Sequence, residues 1–318
     1  MKFKVYRSEI IILTLIIAIV LIYSCSEKML ENEGEFLEYV HMKRANEHIK
    51  YLSENIGVRV AGSKEEKKAA DYIYNQFKSM GYNVNIQKFN HILGKSRNIE
   101  AVKSPSGKDE NDTDEIVYIT AHYDSFEKSP GANDNASGIA CMLEIANIIK
   151  DLDIDREVRF VAFGSEELGL FGSSNYIYNL KDKEIEKSIG CFNIDMVATA
   201  YNGIDEIRAY TVEGNNNIVT DALYEARKEF NSEEYIVEEN LYNDTWNGKI
   251  ESLSQSDHYS FHEVDIPAAL FINVNPSNGK VTEPYMHTEN DTTDNISLEK
   301  LERSINLIGK AIYNTVNN

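Results

Sequence analysis

IVYIT (116–120), EVRFVAF (157–163) and CFNI (191–194) are three short, largely apolar runs built from β-branched and aromatic residues. Each is too short for an ordinary helix and too apolar for a strand with one wet face, so each reads as a strand covered on both sides. The intervening sequence has helical character, from about Ser137 to Lys150 and from about Gly169 to Leu180. Strands alternating with helices predict an α/β fold. A single globular domain is expected, with a mixed, mostly parallel central sheet flanked by helices on both faces.

Upstream, apolar residues recur at helical spacing over Phe36 to Asn55 and more clearly over Ser63 to Gly81. In the second segment Ser63 and Glu66 form a capping box, Ala69, Ala70, Ile73 and Phe77 supply the inner stripe, and Gly81 ends the helix. Tyr82 to Phe89 alternates as a strand does, and Lys103 to Glu115 is a polar surface loop. Downstream, 200–250 is less informative: a helix from Val219 to Phe230 and a polar stretch, Asn243 to Gly248, suited to a loop over the active site. No internal repeat is visible.

The N-terminus has a different organisation. Lys2, Lys4 and Arg7 precede an apolar run from Ile10 to Tyr23 broken only by Thr14. As a helix its 14 residues rise about 21 Å, short of the roughly 30 Å hydrocarbon core, which favours a signal peptide over residues 1–24. The run ends Ile22-Tyr23-Ser24-Cys25, which resembles a bacterial lipobox, with Tyr23 departing from the small or aliphatic residue preferred there. Cys25 is therefore the expected lipidation site. Residues 25–40 form the lipidated cysteine and linker, and 41–318 the folded domain. An uncleaved anchor and ordinary secretion are the alternatives; all three export the chain.

The chain of 318 residues carries 52 Asp and Glu against 32 Lys and Arg, a formal charge of -20. That field repels polyanions, so no nucleic-acid partner is expected. Three cysteines, at 25, 141 and 191, fit neither a disulfide framework nor a thiolate zinc site. Any metal must use oxygen and imidazole. Cys141 and Cys191 read as buried free thiols, with a bond between them left open.

Polar residues cluster where the three apolar runs stop. His122 and Asp124 follow the first, Glu166 and Glu167 the second, and Asp195 the third. In open α/β sheets the carboxyl ends of the strands form the ligand crevice. Asp134 lies in GANDNASG (131–138), just before a helix, and His287 in YMHTENDTTDN (285–295). Imidazoles and carboxylates without thiolates suit a hydrolytic metal site. His122, Asp134, Glu167, Asp195 and His287 give six metal bonds if one carboxylate bridges, or three to each of two ions.

RVAGS, AHYDS, GANDNASG, FGSEELGLFGS, FNIDMV, SDHYSF followed by DIPA, and HTENDT together resemble the secreted and membrane-anchored di-zinc aminopeptidases, the group that includes bacterial leucine aminopeptidases. The likeness runs from about 45 to 315. It implies two Zn²⁺ per chain in a metallopeptidase domain, with His122 and Asp195 on one ion, Glu167 and His287 on the other, and Asp134 between them. It further implies Glu166 as general base and Asp124 as the partner of His122, roles that suit proton transfer and the fixing of an imidazole tautomer. The substrates implied are peptides with a free N-terminus, and the location implied is the outer face of the bacterial membrane as a lipoprotein.

Taken singly, none of these residues is specific; the ordered set is. His41, His48, His91, His258 and His262 lack such support, and His258, although in SDHYSF, is not expected to ligate metal. Carboxypeptidase-like and single-zinc glutaminyl-cyclase-like relatives remain alternatives, as does a non-catalytic metal-containing binding lipoprotein.

Overall fold

The computed structural model describes residues 41–106, 115–230, 256–281 and 283–317. The expected signal segment, Cys25 and its linker, most of the polar loop before Ile116 and the stretch from Asn243 to Gly248 lie outside the described residues.

Chain order begins with helix α1 (Met42–Lys50), continued by a π-turn to Ile56, then α2 (Lys64–Ser79). A hairpin follows, β1 (Asn83–His91) and β2 (Gly94–Lys103), and then β3 (Ile116–His122), α3 (Gly138–Ile149), β4 (Glu157–Phe163), α4 (Phe171–Tyr178), α5 (Asp182–Lys187) and β5 (Ser188–Ile194). The remainder is β6 (Glu206–Tyr210), α6 (Ile218–Glu229), α7 (His258–His262), β7 (Ala268–Val274) and α8 (Leu298–Val316).

These strands form one seven-stranded sheet in the order β1-β2-β4-β3-β5-β7-β6. The central four, β4, β3, β5 and β7, are parallel, while β1, β2 and β6 add antiparallel edges. The mixed, mostly parallel sheet expected from the three apolar runs is therefore present. Alternation along β4 shows how both faces are covered. Phe160 packs against Phe77 of α2 and against Tyr82, whereas Val161 and Phe163 join Tyr118, Tyr176, Cys191 and Phe261 on the opposite face.

Three strands were not anticipated. β7, AALFINV, is buried along its whole length and carries the same signature as the three recognised runs. β2 and β6 are charged and mixed in pattern, and pairing with a neighbour, not composition, makes them strands. Lys103 ends β2, so the polar loop begins later than expected.

The proposed capping box is half formed. Ser63 Oγ accepts the Glu66 N–H at 2.9 Å, but Glu66 Oε2 accepts from Gly62, one residue before the N-cap, at 2.8 Å. Its other oxygen accepts from Ser96 and Ser165, so tertiary partners replace the local one. Cys141 and Cys191 are both free and buried.

Candidate active site

Parallel strands end side by side, which brings residues distant in sequence to one edge of the sheet. His122 is the last residue of β3, the Glu166–Glu167 pair follows β4, and Asp195 follows β5. Asp134 lies in the tight turn entering α3, and its peptide bond to Asn135 is cis. His287 comes from the loop after β7.

The structure gathers all seven predicted residues. His122 Nε2 lies 3.3 Å from Asp134 Oδ1 and 3.4 Å from Asp195 Oδ1. His287 Nε2 lies 3.3 Å from Asp134 Oδ2 and 3.0 Å from Glu167 Oε2. Asp134 thus turns one oxygen to each imidazole. Glu166 offers an oxygen near His122 and Asp195, while Glu167 lies with His122 and Asp134. Adjacent glutamates therefore serve different sides of the cluster.

Asp124 has more contacts than the expected one. Its Oδ1 stands 3.5 Å from His122 Nδ1, a long contact, and the same carboxylate accepts the N–H groups of Glu166 at 3.0 Å and Glu167 at 3.1 Å. One buried side chain holds the turn carrying the glutamate pair and faces the imidazole.

GANDNASG is a set of hooks holding the exit of β5. Asn135 Nδ2 donates to Ile194 O, its Oδ1 accepts from Gly138 and Met196, Ser137 Oγ accepts from Val197, and Asn133 Oδ1 accepts from Ala198. Asp134 and Asp195 are thereby fixed relative to each other through neighbours of both. Ser165, Met196 and His287 all have left-handed φ, at 61°, 52° and 59°. Strained backbone of this kind persists where surrounding contacts over-determine it.

Three supporting residues escaped the sequence reading although each sits inside a quoted motif. Asp291, in HTENDT, accepts the N–H of Asn133 at 2.6 Å and of Asp134 at 2.9 Å. Ser256, in SDHYSF, donates to Asp195 Oδ2 at 3.0 Å. Arg59, in RVAGS, is fully buried and donates to the carbonyls of Leu52, Gly57, Tyr123, Pro130 and Gly131. Phe126 stacks on His287 with ring centroids 4.3 Å apart. Among the described residues His258 belongs to neither metal-competent group, and burial holds its imidazole down at about 4.

The electrostatics call for cations. Burial, then the charge of Asp134, raises Glu167 to about 7, and burial followed by Asp257 and Asp195 carries Glu166 well above the carboxylate range. Burial opposes charge on His122, but Glu166 and Asp195 outweigh it and raise the imidazole well above its ordinary value. Hydrogen bonds to Asp134 and Glu167 lift His287 to about 10. Glu167 Oε1 and Asp195 Oδ1 are buried without hydrogen-bond partners. Orphaned carboxylate oxygens beside imidazoles fit a divalent metal.

With that geometry in hand, the comparisons with known proteins are specific. The model of peptidase family M28 matches residues 102–312. The chain belongs to peptidase family M28. Among relatives, it is 40% identical over 224 residues to aminopeptidase YwaD of Bacillus subtilis, covering 70% of this chain and 45% of that one. It is 36% identical over 130 residues to the probable lipoprotein aminopeptidase LpqL of Mycobacterium tuberculosis, covering 40% of this chain and 24% of that one. The chain thus spans less than half of these two relatives. Among solved structures, BSAP, a zinc aminopeptidase from Bacillus subtilis, superposes with a TM-score of 0.77 at 25% identity, covering 87% of this chain and 95% of that one.

Proposed function

We propose that the chain is an exported zinc aminopeptidase that holds two ions and removes the N-terminal residue of peptides. The observation that carries this reading is the Asp134 carboxylate, one oxygen 3.3 Å from His122 and the other 3.3 Å from His287. Each imidazole has a further carboxylate beside it, Asp195 and Glu167 respectively. This supports two three-residue sets sharing one bridge: His122, Asp195 and Asp134, and Glu167, His287 and Asp134. Bound zinc would supply a Lewis acid for the scissile carbonyl and lower the pKa of water.

The protein's own groups do the rest. Glu166, half-buried among carboxylates, takes a proton from the attacking water and returns it to the departing amine. Asp124 holds both glutamate amides and faces His122 Nδ1, so it keeps base and ligands in register. The names of YwaD and BSAP support cleavage at a free N-terminus. Export is supported by the leader sequence, and anchoring through Cys25 by the lipobox-like run and by the description of LpqL. Durable anchoring requires two acyl signals, which predicts a diacylated or further-modified Cys25.

The test compares free and N-acetylated peptides with the purified protein, with and without chelator. Cleavage should be lost on acetylation and on metal removal, and elemental analysis should approach two zinc ions per chain. A fully active protein containing one ion would instead favour the single-zinc cyclase-like reading. Glu166→Ala should retain both ions and lose about 10²–10⁴-fold in kcat. Glu167→Ala should lose metal, with activity partly restored by excess zinc. The opposite pattern would exchange the two roles.

A further inference from the structure

The turn that presents Glu166 and Glu167 is gripped from two sides, and only one grip belongs to the metal-binding cluster. On one side Asp124 takes both backbone N–H groups. On the other lies Glu66, in the first turn of α2, buried and about a hundred residues away in sequence. Its Oε1 accepts from Ser165 Oγ at 2.8 Å and from Ser96 Oγ at 2.7 Å, while Oε2 accepts from Gly62 N at 2.8 Å. Ser165 immediately precedes Glu166 and has φ of 61°, a conformation an L-residue adopts only when held.

Packing repeats the point. A Cβ on Gly164 would collide with Ser96 Oγ, Tyr123 OH and Glu66 Oε1. The Gly164–Ser165 corner is therefore seated directly on this carboxylate. Its cost is clear: burial, then the nearby charge of Asp124, raises Glu66 to about 7. A lone helix cap has no need for such a site, since Ser63 already serves the Glu66 N–H.

We propose that Glu66 is a positioning residue for the general base, acting through Ser165 to fix the corner from which Glu166 reaches the water. The proposal rests on the assignment of Glu166 above. It involves no contact between Glu66 and substrate or metal.

The test uses the zinc-loaded protein with Glu66→Ala, Ser165→Ala, the double variant, Glu66→Gln, and Glu166→Ala as reference. Steady-state kinetics, zinc content and thermal midpoint are measured for each. Displacing a catalytic group by about an ångström costs up to about a hundredfold, so each single alanine variant should lose about ten- to a hundredfold in kcat. KM should stay within about twofold and both ions should remain. The double variant should be no slower than the slower single one, because both remove one connection. Glu66→Gln should recover most of kcat, since its amide fills the same space and the hydroxyls can rotate to accept from it. If Glu66→Ala fails to fold, Ser165→Ala, which leaves Glu66 in place, decides. Folded alanine variants with wild-type kcat, or losses that add, would overturn the coupling alone. Turnover that survives Glu166→Ala would overturn the base assignment and this proposal with it.

Discussion

Replacing Arg59 by Met is the most severe single test of how the site is held. The guanidinium donates to five carbonyls, and the bonds to Leu52, Tyr123 and Gly131 are wholly buried. Tyr123 lies between His122 and Asp124, and Pro130 and Gly131 open the turn that carries Asp134. Burial lowers the side chain to about 10 despite the opposing charges of Asp291 and Asp124, so it remains a cation at neutral pH. Methionine fills much of the same volume but donates nothing. A hydrogen bond from a charged donor is worth about 1.5–3 kcal/mol, so losing these three costs roughly 4–9 kcal/mol, and Tyr123 O suffers most because Leu52 O and Gly131 O keep the N–H groups of Gly57 and Ala136. That is comparable to the 5–15 kcal/mol by which ordinary domains are stable. At about 2–4 °C per kcal/mol, the thermal midpoint should fall by at least about 6 °C. Differential scanning calorimetry of the zinc-loaded and chelated proteins is the assay. Because Arg59 holds loops and not metal, the chelated protein should show a similar fall. A midpoint within about 2 °C of wild type in both states would refute the argument that these carbonyls depend on Arg59.

Asp291→Asn replaces one acceptor with a donor opposite the N–H of Asn133 or Asp134, so zinc affinity should fall, by about 10–100-fold, as measured by competition with a chromophoric chelator. His48 titrates the fold itself: burial, then Arg44, lowers it from 6.5 to about 4, and its Nδ1 meets Tyr72 Oη at 2.6 Å. The folded state therefore binds fewer protons than the unfolded one below pH 6.5, so its stabilising contribution is complete above pH 6.5 and is lost as pH falls toward 4, by up to about 3 kcal/mol. His48→Asn, which preserves a polar atom near Nδ1, should flatten the fall of the thermal midpoint between pH 6.5 and 4.5; an unchanged slope would contradict this.

The parts of the fold legible in the sequence were those whose burial leaves a composition signal. β3, β4 and β5 are flanked by strands on both sides and covered by helices, so their residues are selected for apolarity and the run announces itself. β7 carries the same signal in AALFINV, buried along its whole length. β2 and β6 had no comparable signal. Glu100 pairs in register with Val161, and Arg208 with Ile272, because hydrogen-bond ladders accept any side chain that can turn toward solvent or an ion partner.

The same distinction separates the predicted site residues from those missed. Where thiolates are absent, a side chain proposed to hold a metal must be imidazole or carboxylate, so His122, Asp134, Glu167, Asp195 and His287 stood out by chemistry and order. Asp291, Ser256, Arg59 and Glu66 do something that many side chains could do: each satisfies backbone or hydroxyl groups of a loop. Their choice becomes visible only when the loops are brought together. Glu66 shows this most plainly, since Ser63, Glu66 and the apolar stripe behind them spell a helix start that is complete in local terms. Its burial against Ser96 and Ser165 depends on β2 and β4 pairing beside α2. A local signal thus concealed a tertiary role, because the same carboxylate satisfies the pattern of a cap and the needs of a turn far along the chain.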